Sequence, residues 1–219
     1  MKLNISKLIL FQIISFSFSA EFFNTEECGK GRACWSFPAD CEPRKCDGIV
    51  RWRLEGQKLV LEIQAKDISM STDVGRYVAV GFSGDQAMGN DTVIECVFDN
   101  TGEGRGQAYI SHNEQTNNIQ LLKASQKMLK NKSFVMKDDR LMCKLEVDFS
   151  ALSTVDKSEK EMIHEIPNNN WHLLFAEGLT NLETGEKYMH AVMPWKTQEQ
   201  VEICSDCKAK LVLVEKMSQ

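Results

Sequence analysis

Residues 49–65 read IVRWRLEGQKLVLEIQA, and this stretch decides the fold class. Val50, Trp52 and Leu54 alternate with Arg51, Arg53 and Glu55. After the turn at Gly56-Gln57, the residues Leu59, Leu61, Ile63 and Ala65 alternate with Val60, Glu62 and Gln64. In an extended chain successive side chains point to opposite faces, so a period of two marks strands with one face toward a core. Two such runs about a glycine-containing turn predict a β-hairpin.

The pattern continues outward. Further strands are expected at 77–82, 92–98, 108–111, 119–124, 134–137, 141–149, 171–176, 190–193 and 211–214. Turn-forming runs such as 99–104 and 183–186 separate them. Only 150–166 reads as a helix of any length, and its polarity puts it on the surface. Short strands at this spacing predict an all-β fold, a two-sheet β-sandwich of about ten strands. The expected organisation is a signal peptide at 1–20, a disulfide-stapled, cysteine-rich N-terminal extension at 21–47, the sandwich at 48–197 and a tail at 198–219.

The segment 1–20, MKLNISKLILFQIISFSFSA, carries two lysines, an apolar run from Leu8 to Phe18 and then small residues, the layout of a secretory signal peptide. The apolar run falls short of the roughly 20 residues that span a bilayer. Its removal takes Lys2 and Lys7 from the 26 basic residues set against 31 acidic ones, so the net charge goes from −5 to −7. The expected product is secreted, with no transmembrane span. An acidic chain offers no basic surplus for nucleic acid.

Eight cysteines, at 28, 34, 41, 46, 96, 143, 204 and 207, all follow the signal segment. In an oxidising compartment an even count implies disulfides, so all eight are disulfide candidates; eight cysteines allow 105 pairings. Cys204-Ser-Asp-Cys207 has the C-x-x-C form of a redox dithiol, but it follows a strand in a β-rich chain, and a structural role is the stronger reading. Asn90-Asp91-Thr92 and Asn131-Lys132-Ser133 are N-glycosylation sequons. Asn131 lies in a polar run, whereas Asn90 adjoins the loop that is the first functional candidate.

That loop, Ser83 to Asp91, is glycine-rich and joins two strands, a common seat of function on a rigid sandwich. Met88 is its one long apolar side chain; in isolation the residue reads as rim packing. The histidines stand singly at 112, 164, 172 and 190, with no H-x-H or H-E-x-x-H pair. His190 opens an apolar run after the Gly185 turn. His112 and His164 lie in polar surroundings, and His172 is one step into a strand.

Three stretches together resemble the DOMON domain: the cysteine framing Cys28-Gly29…Cys34…Pro38…Cys41…Cys46-Asp47, the run Tyr77–Ser83 (YVAVGFS), and Met88–Cys96 (MGNDTVIEC). The cysteine framing is most similar to the DOMON domains of animal ferric-chelate reductase-like proteins. The resemblance runs from about Cys28 to Pro194. It implies a β-sandwich whose interior holds a ligand, in several members haem b gripped by a methionine after the V-A-x-G-F-S strand and a histidine near the domain's end. Met88 and His190 match those positions as axial ligands of the haem iron, with Phe82, Tyr188, Phe175 and Trp195 as wall residues. A filled Met/His pair suits electron transfer rather than oxygen chemistry. The resemblance thus implies an electron carrier working with an unidentified extracellular redox partner, and not a stand-alone catalyst. The alternative is a haem-free extracellular module that captures a ligand or protein.

Overall fold

The computed structural model describes residues 25, 28–39, 41, 42, 45–69, 71, 73–99, 105–205 and 214–216. The expected signal peptide, Cys207, the turn residues 100–104 and residues 211–213 lie outside them.

The alternation at 49–65 becomes the centre of a five-stranded antiparallel sheet. Its strands are β1 (Ala33–Phe37), β2 (Gly48–Glu55), β3 (Lys58–Lys66), β9 (Arg140–Asp148) and β8 (Leu129–Lys137), in the order β1-β2-β3-β9-β8. The second, eight-stranded sheet is built on β10 (Asn170–Thr180), β4 (Gly75–Ser83), β5 (Asp91–Phe98), β6 (Gly106–Glu114) and β7 (Asn117–Gln120). Short strands β11 (Trp195–Thr197), β12 (Val201–Glu202) and β13 (Val214–Lys216) extend its β10 side. All the strand pairs are antiparallel.

The inner faces meet in one core. Val50, Trp52 and Leu54 face it from β2, Leu59, Leu61 and Ile63 from β3, Val78, Val80 and Phe82 from β4, and Ile94 and Phe98 from β5. Burial of this apolar area, at roughly 25 cal/mol per Å², is the main force holding the two sheets face to face. Trp35, Phe37, Phe175 and Trp195 form an aromatic cluster between the sheets, with Phe37 4.6 Å from Phe175 and 5.5 Å from Trp195 by ring centroid.

The cysteine-rich segment is more than an appendage. Ala33–Phe37 is the first strand of the five-stranded sheet, and Trp35 and Phe37 are fully buried in the common core. Cys28–Cys34 and Cys41–Cys46 staple the chain on either side of this strand. Arg32 approaches Glu62 at 3.7 Å, and Glu62 also pairs with Arg51 directly across the β2–β3 register. The third bridge, Cys96–Cys143, joins the two sheets through the core. Cys204 is disulfide-bonded as well.

Several local expectations change. The segment 119–124 divides into the end of β7 and a helix α1 (Leu122–Met128), because Leu121, Ala124 and Met128 bury one side of a helical turn against the core. Residues 190–193 form bends, not a strand. The polar segment 150–166 yields a 3-10 helix, Phe149–Thr154, and one short helix, α2 (Lys157–Lys160). Strand β10 runs on to Thr180, beyond the expected 176.

Candidate functional site

Strands β4 and β5 lead into and out of the loop 84–90, and side chains knit that loop together. The Ser83 hydroxyl accepts from the Asp85 N–H at 3.2 Å, and Asp85 Oδ1 accepts from the Ala87 N–H at 2.7 Å. Gln86 donates to the Thr197 and Gln198 carbonyls at 3.0 and 2.7 Å, tying the loop to the end of β11. The Met-Gly-Asn-Asp run has a structural cause. Asp91, fully buried, accepts through Oδ2 from the Gly89 N–H at 2.9 Å and from Asn113 at 3.0 Å. Gly89 adopts φ 142, a conformation open to glycine, and packs against the backbone of Gln115.

Beside this loop and the β6–β7 turn lies an open cavity of about 560 Å³. Asp85, Met88, Asn90, His112, Glu114 and Gln115 are among its lining residues. Met88 is 40% exposed. The lining is rich in amides and carboxylates and holds no Lys or Arg, so the cavity is polar and favours donors and cations over anions.

Two histidines with weak cases in the sequence converge on this end. Phe82, Thr92 and His112 share one rung across β4, β5 and β6. His112 follows Ala108 and Ile110 on the core-facing side of β6 and is buried. The His164 N–H donates to the Thr92 hydroxyl at 2.7 Å, and its ring stacks on Trp171 at 4.9 Å. Burial, and next the neighbouring His112, hold His164 below the ordinary histidine pKa; the Phe82 carbonyl and Asp91 act in the opposite direction. Nδ1 of His112, Nδ1 of His164 and Oδ1 of Asp91 are buried without a hydrogen-bond partner. The period-two continuation from Ile110 to His112 is the signal that marks His112 as inward-facing. For His164 only the tertiary fold supplies one.

The expected pair, Met88 and His190, lies at opposite ends of the eight-stranded sheet. Ser83, where the Met88 loop begins, pairs with His172. The chain after Thr180 turns back along the edge of β10, and the Ala191 N–H donates to the Glu177 carbonyl at 3.1 Å. His190 is therefore level with Glu177 and Gly178, five rungs from His172. At about 3.4 Å per residue that is about 17 Å along the strand. The wall candidates do not open onto a common slot. Phe82, Phe175 and Trp195 are packed in the core, whereas Tyr188 is 51% exposed. His172 lies with Nδ1 3.3 Å from the Thr197 carbonyl.

A haem needs an apolar slot with axial ligands converging on one iron from opposite walls. In this chain Met88 and His190 do not converge, aromatic rings fill the space between the sheets, and the opening beside Met88 is polar. These residues do not fit haem b as an axial pair. No group of three or more His, Cys, Asp or Glu side chains among the described residues is arranged to hold a metal ion.

Glu177, absent from the sequence candidates, is another buried polar group. It alternates inward with Leu173 and Phe175 and is 5% exposed, with Oε2 unpartnered. Burial, and then Asp47 and Asp67, push its pKa up to about 8.

Comparison with known proteins bears on the whole of this architecture. The human DOMON domain-containing protein FRRS1L is 28% identical over 154 residues, covering 70% of this chain and 46% of its own length. Mouse ferric-chelate reductase 1 is 23% identical over 189 residues, covering 85% of this chain and 28% of its own length. The chain thus spans less than half of either relative. The family model of the DOMON domain matches residues 44–178, most of both sheets, and the chain belongs to the DOMON domain family.

Proposed function

We propose that this chain is a secreted, haem-free binding module that captures its ligand or protein partner at the loop end of the sandwich, through the cavity lined by Met88 and His112. The observation carrying this reading is the register of β10 with β4, which separates Met88 from His190 while Met88 and His112 line one opening. The eight cysteines and the apolar leader support an extracellular setting. No helix among the described residues is long and apolar enough to cross a membrane. The loop is held at both ends by strands and braced by Asp91 and Gln86, so the cavity is preformed, which lowers the ordering cost of binding.

The deciding experiment is a haemin titration of the purified chain, followed by absorption in the oxidised and dithionite-reduced states, with Met88→Ala and His190→Ala alongside. The expected result is no six-coordinate spectrum. A six-coordinate spectrum in the wild type, lost or converted to a five-coordinate form in both variants, would overturn the proposal and restore the electron-carrier reading. Hydrogen exchange in concentrated extracellular medium locates binding: protection confined to 84–90 and 112–116 supports the cavity, and protection elsewhere rejects it.

A further inference from the structure

The Asn131 sequon occupies an unusual place in the fold. Strand β8 is the last strand of the five-stranded sheet, and among the described residues it pairs only with β9, on one side. Between Lys130 and Ser133 the pairing register shifts, and Asn131 takes φ 48. Such a bulge pushes residues out of the ladder. Lys130, Asn131, Lys132 and Ser133 are exposed in succession, so neither face of the strand is covered here. Beyond them Phe134 turns into the core, and Val135 and Met136 are half-buried. The outer edge of β8 thus presents backbone donors and acceptors next to partly apolar side chains, the template on which another chain can add a strand.

The second sequon differs. Asn90 is exposed, but its hydroxyl residue, Thr92, is fully buried and accepts from the His164 N–H. After β5 has folded, that hydroxyl is closed off. In the Asn131 sequon the asparagine, the middle residue and the serine all stay open in the folded chain.

We propose that Asn131 carries an N-linked glycan that stands over the free edge of β8 and keeps that edge from pairing with another chain. The inference rests on the secretory reading above. In the transfer, the Asn131 amide nitrogen forms a bond to the anomeric carbon of an oligosaccharide carried on a polyprenyl pyrophosphate. The nitrogen loses one proton, the sugar–phosphate bond breaks and the lipid pyrophosphate leaves. The glycan adds bulk to a defence already begun by Lys130, Lys132 and the bulge.

The test is to express the full chain in a eukaryotic secretory host and to sequence the N-terminus of the product. The secreted protein is then treated with a peptide-N-glycosidase in heavy-oxygen water and mapped by mass spectrometry. The expected result is labelled aspartate at position 131. Asn131→Gln and Ser133→Ala, the latter leaving Asn131 and its backbone in place, are both expected to lose one glycan's mass. In sedimentation they shift from monomer toward dimers and larger species, as does enzymatically deglycosylated wild type. Secreted protein with bare Asn131 overturns the glycan and leaves the secretory reading intact. A chain retained in the cytosol with residues 1–20 attached overturns both. A glycan whose removal by all three routes leaves a monomer overturns the edge-shielding role.

Discussion

Cys96 on β5 and Cys143 on β9 are bridged across the interior, joining the eight-stranded sheet to the five-stranded one between residues 47 positions apart. Both cysteines are fully buried. Closing a loop of that length restricts the unfolded chain far more than the local bridges Cys28–Cys34 and Cys41–Cys46, which close separations of 6 and 5. Replacing Cys96 and Cys143 together by alanine is expected to cost about 4 kcal/mol on the chain-entropy model. Replacing Cys41 and Cys46 is expected to cost less. Urea unfolding of the two double variants measures the difference, and an equal loss would refute the ranking.

Glu177 makes stability fall as pH rises from acidic through neutral. Its folded pKa is pushed up to about 8 from an ordinary value of 4.5, so the folded chain holds a proton that the unfolded chain releases. The contribution is fully present below about 4.5 and is lost as pH rises toward about 8. The loss is on the order of 5 kcal/mol by linkage. Glu177→Gln is expected to flatten the stability profile between those limits, as read by denaturation at a series of pH values. An unchanged slope would show that the carboxyl is not held neutral.

His164 acts in the opposite direction over an overlapping pH range. Burial beside His112 lowers its pKa, so the folded state favours the neutral ring. Its contribution is present above the unfolded value of about 6.5 and is lost as pH falls below it. Hydrogen exchange at pH 7 and pH 5 is expected to show faster opening of 84–90 and 161–169 at the lower pH. His164→Gln is expected to remove that difference.

Gly106 is required by close approach. A Cβ there would lie 2.6 Å from the Val97 carbonyl and 2.7 Å from the Phe134 ring. Neither is the far end of a flexible side chain. Gly106→Ala is expected to destabilise by about 1–3 kcal/mol, the cost of overpacking. Thermal unfolding with a midpoint equal to wild type would contradict this.

Much of this protein was legible along the chain. The alternation at 49–65 is the β2–β3 hairpin, with Gly56 at φ 62 in its turn, and Leu59, Leu61 and Ile63 are the residues that face the core. The segment 119–124 misled because its apolar residues fit a helical turn as well as a strand end, and the packing of Ala124 and Met128 decided between them. The 190–193 run is apolar enough for a strand, yet its backbone turns away from the ladder after Ala191 bonds to Glu177.

The sequence by itself determined the all-β class, the inward-facing residues of most strands and the cysteines available for bridging, since strand periodicity and cysteine count are local properties. Tertiary structure alone decided which cysteines pair and that Trp35 and Phe37 belong to the main core. It also decided that Met88 and His112 line one opening, and that the strand end where the Met88 loop begins is about 17 Å along β10 from the level of His190. Those relations depend on strand order and register, which bring together residues remote in sequence, and no pattern within one strand encodes them.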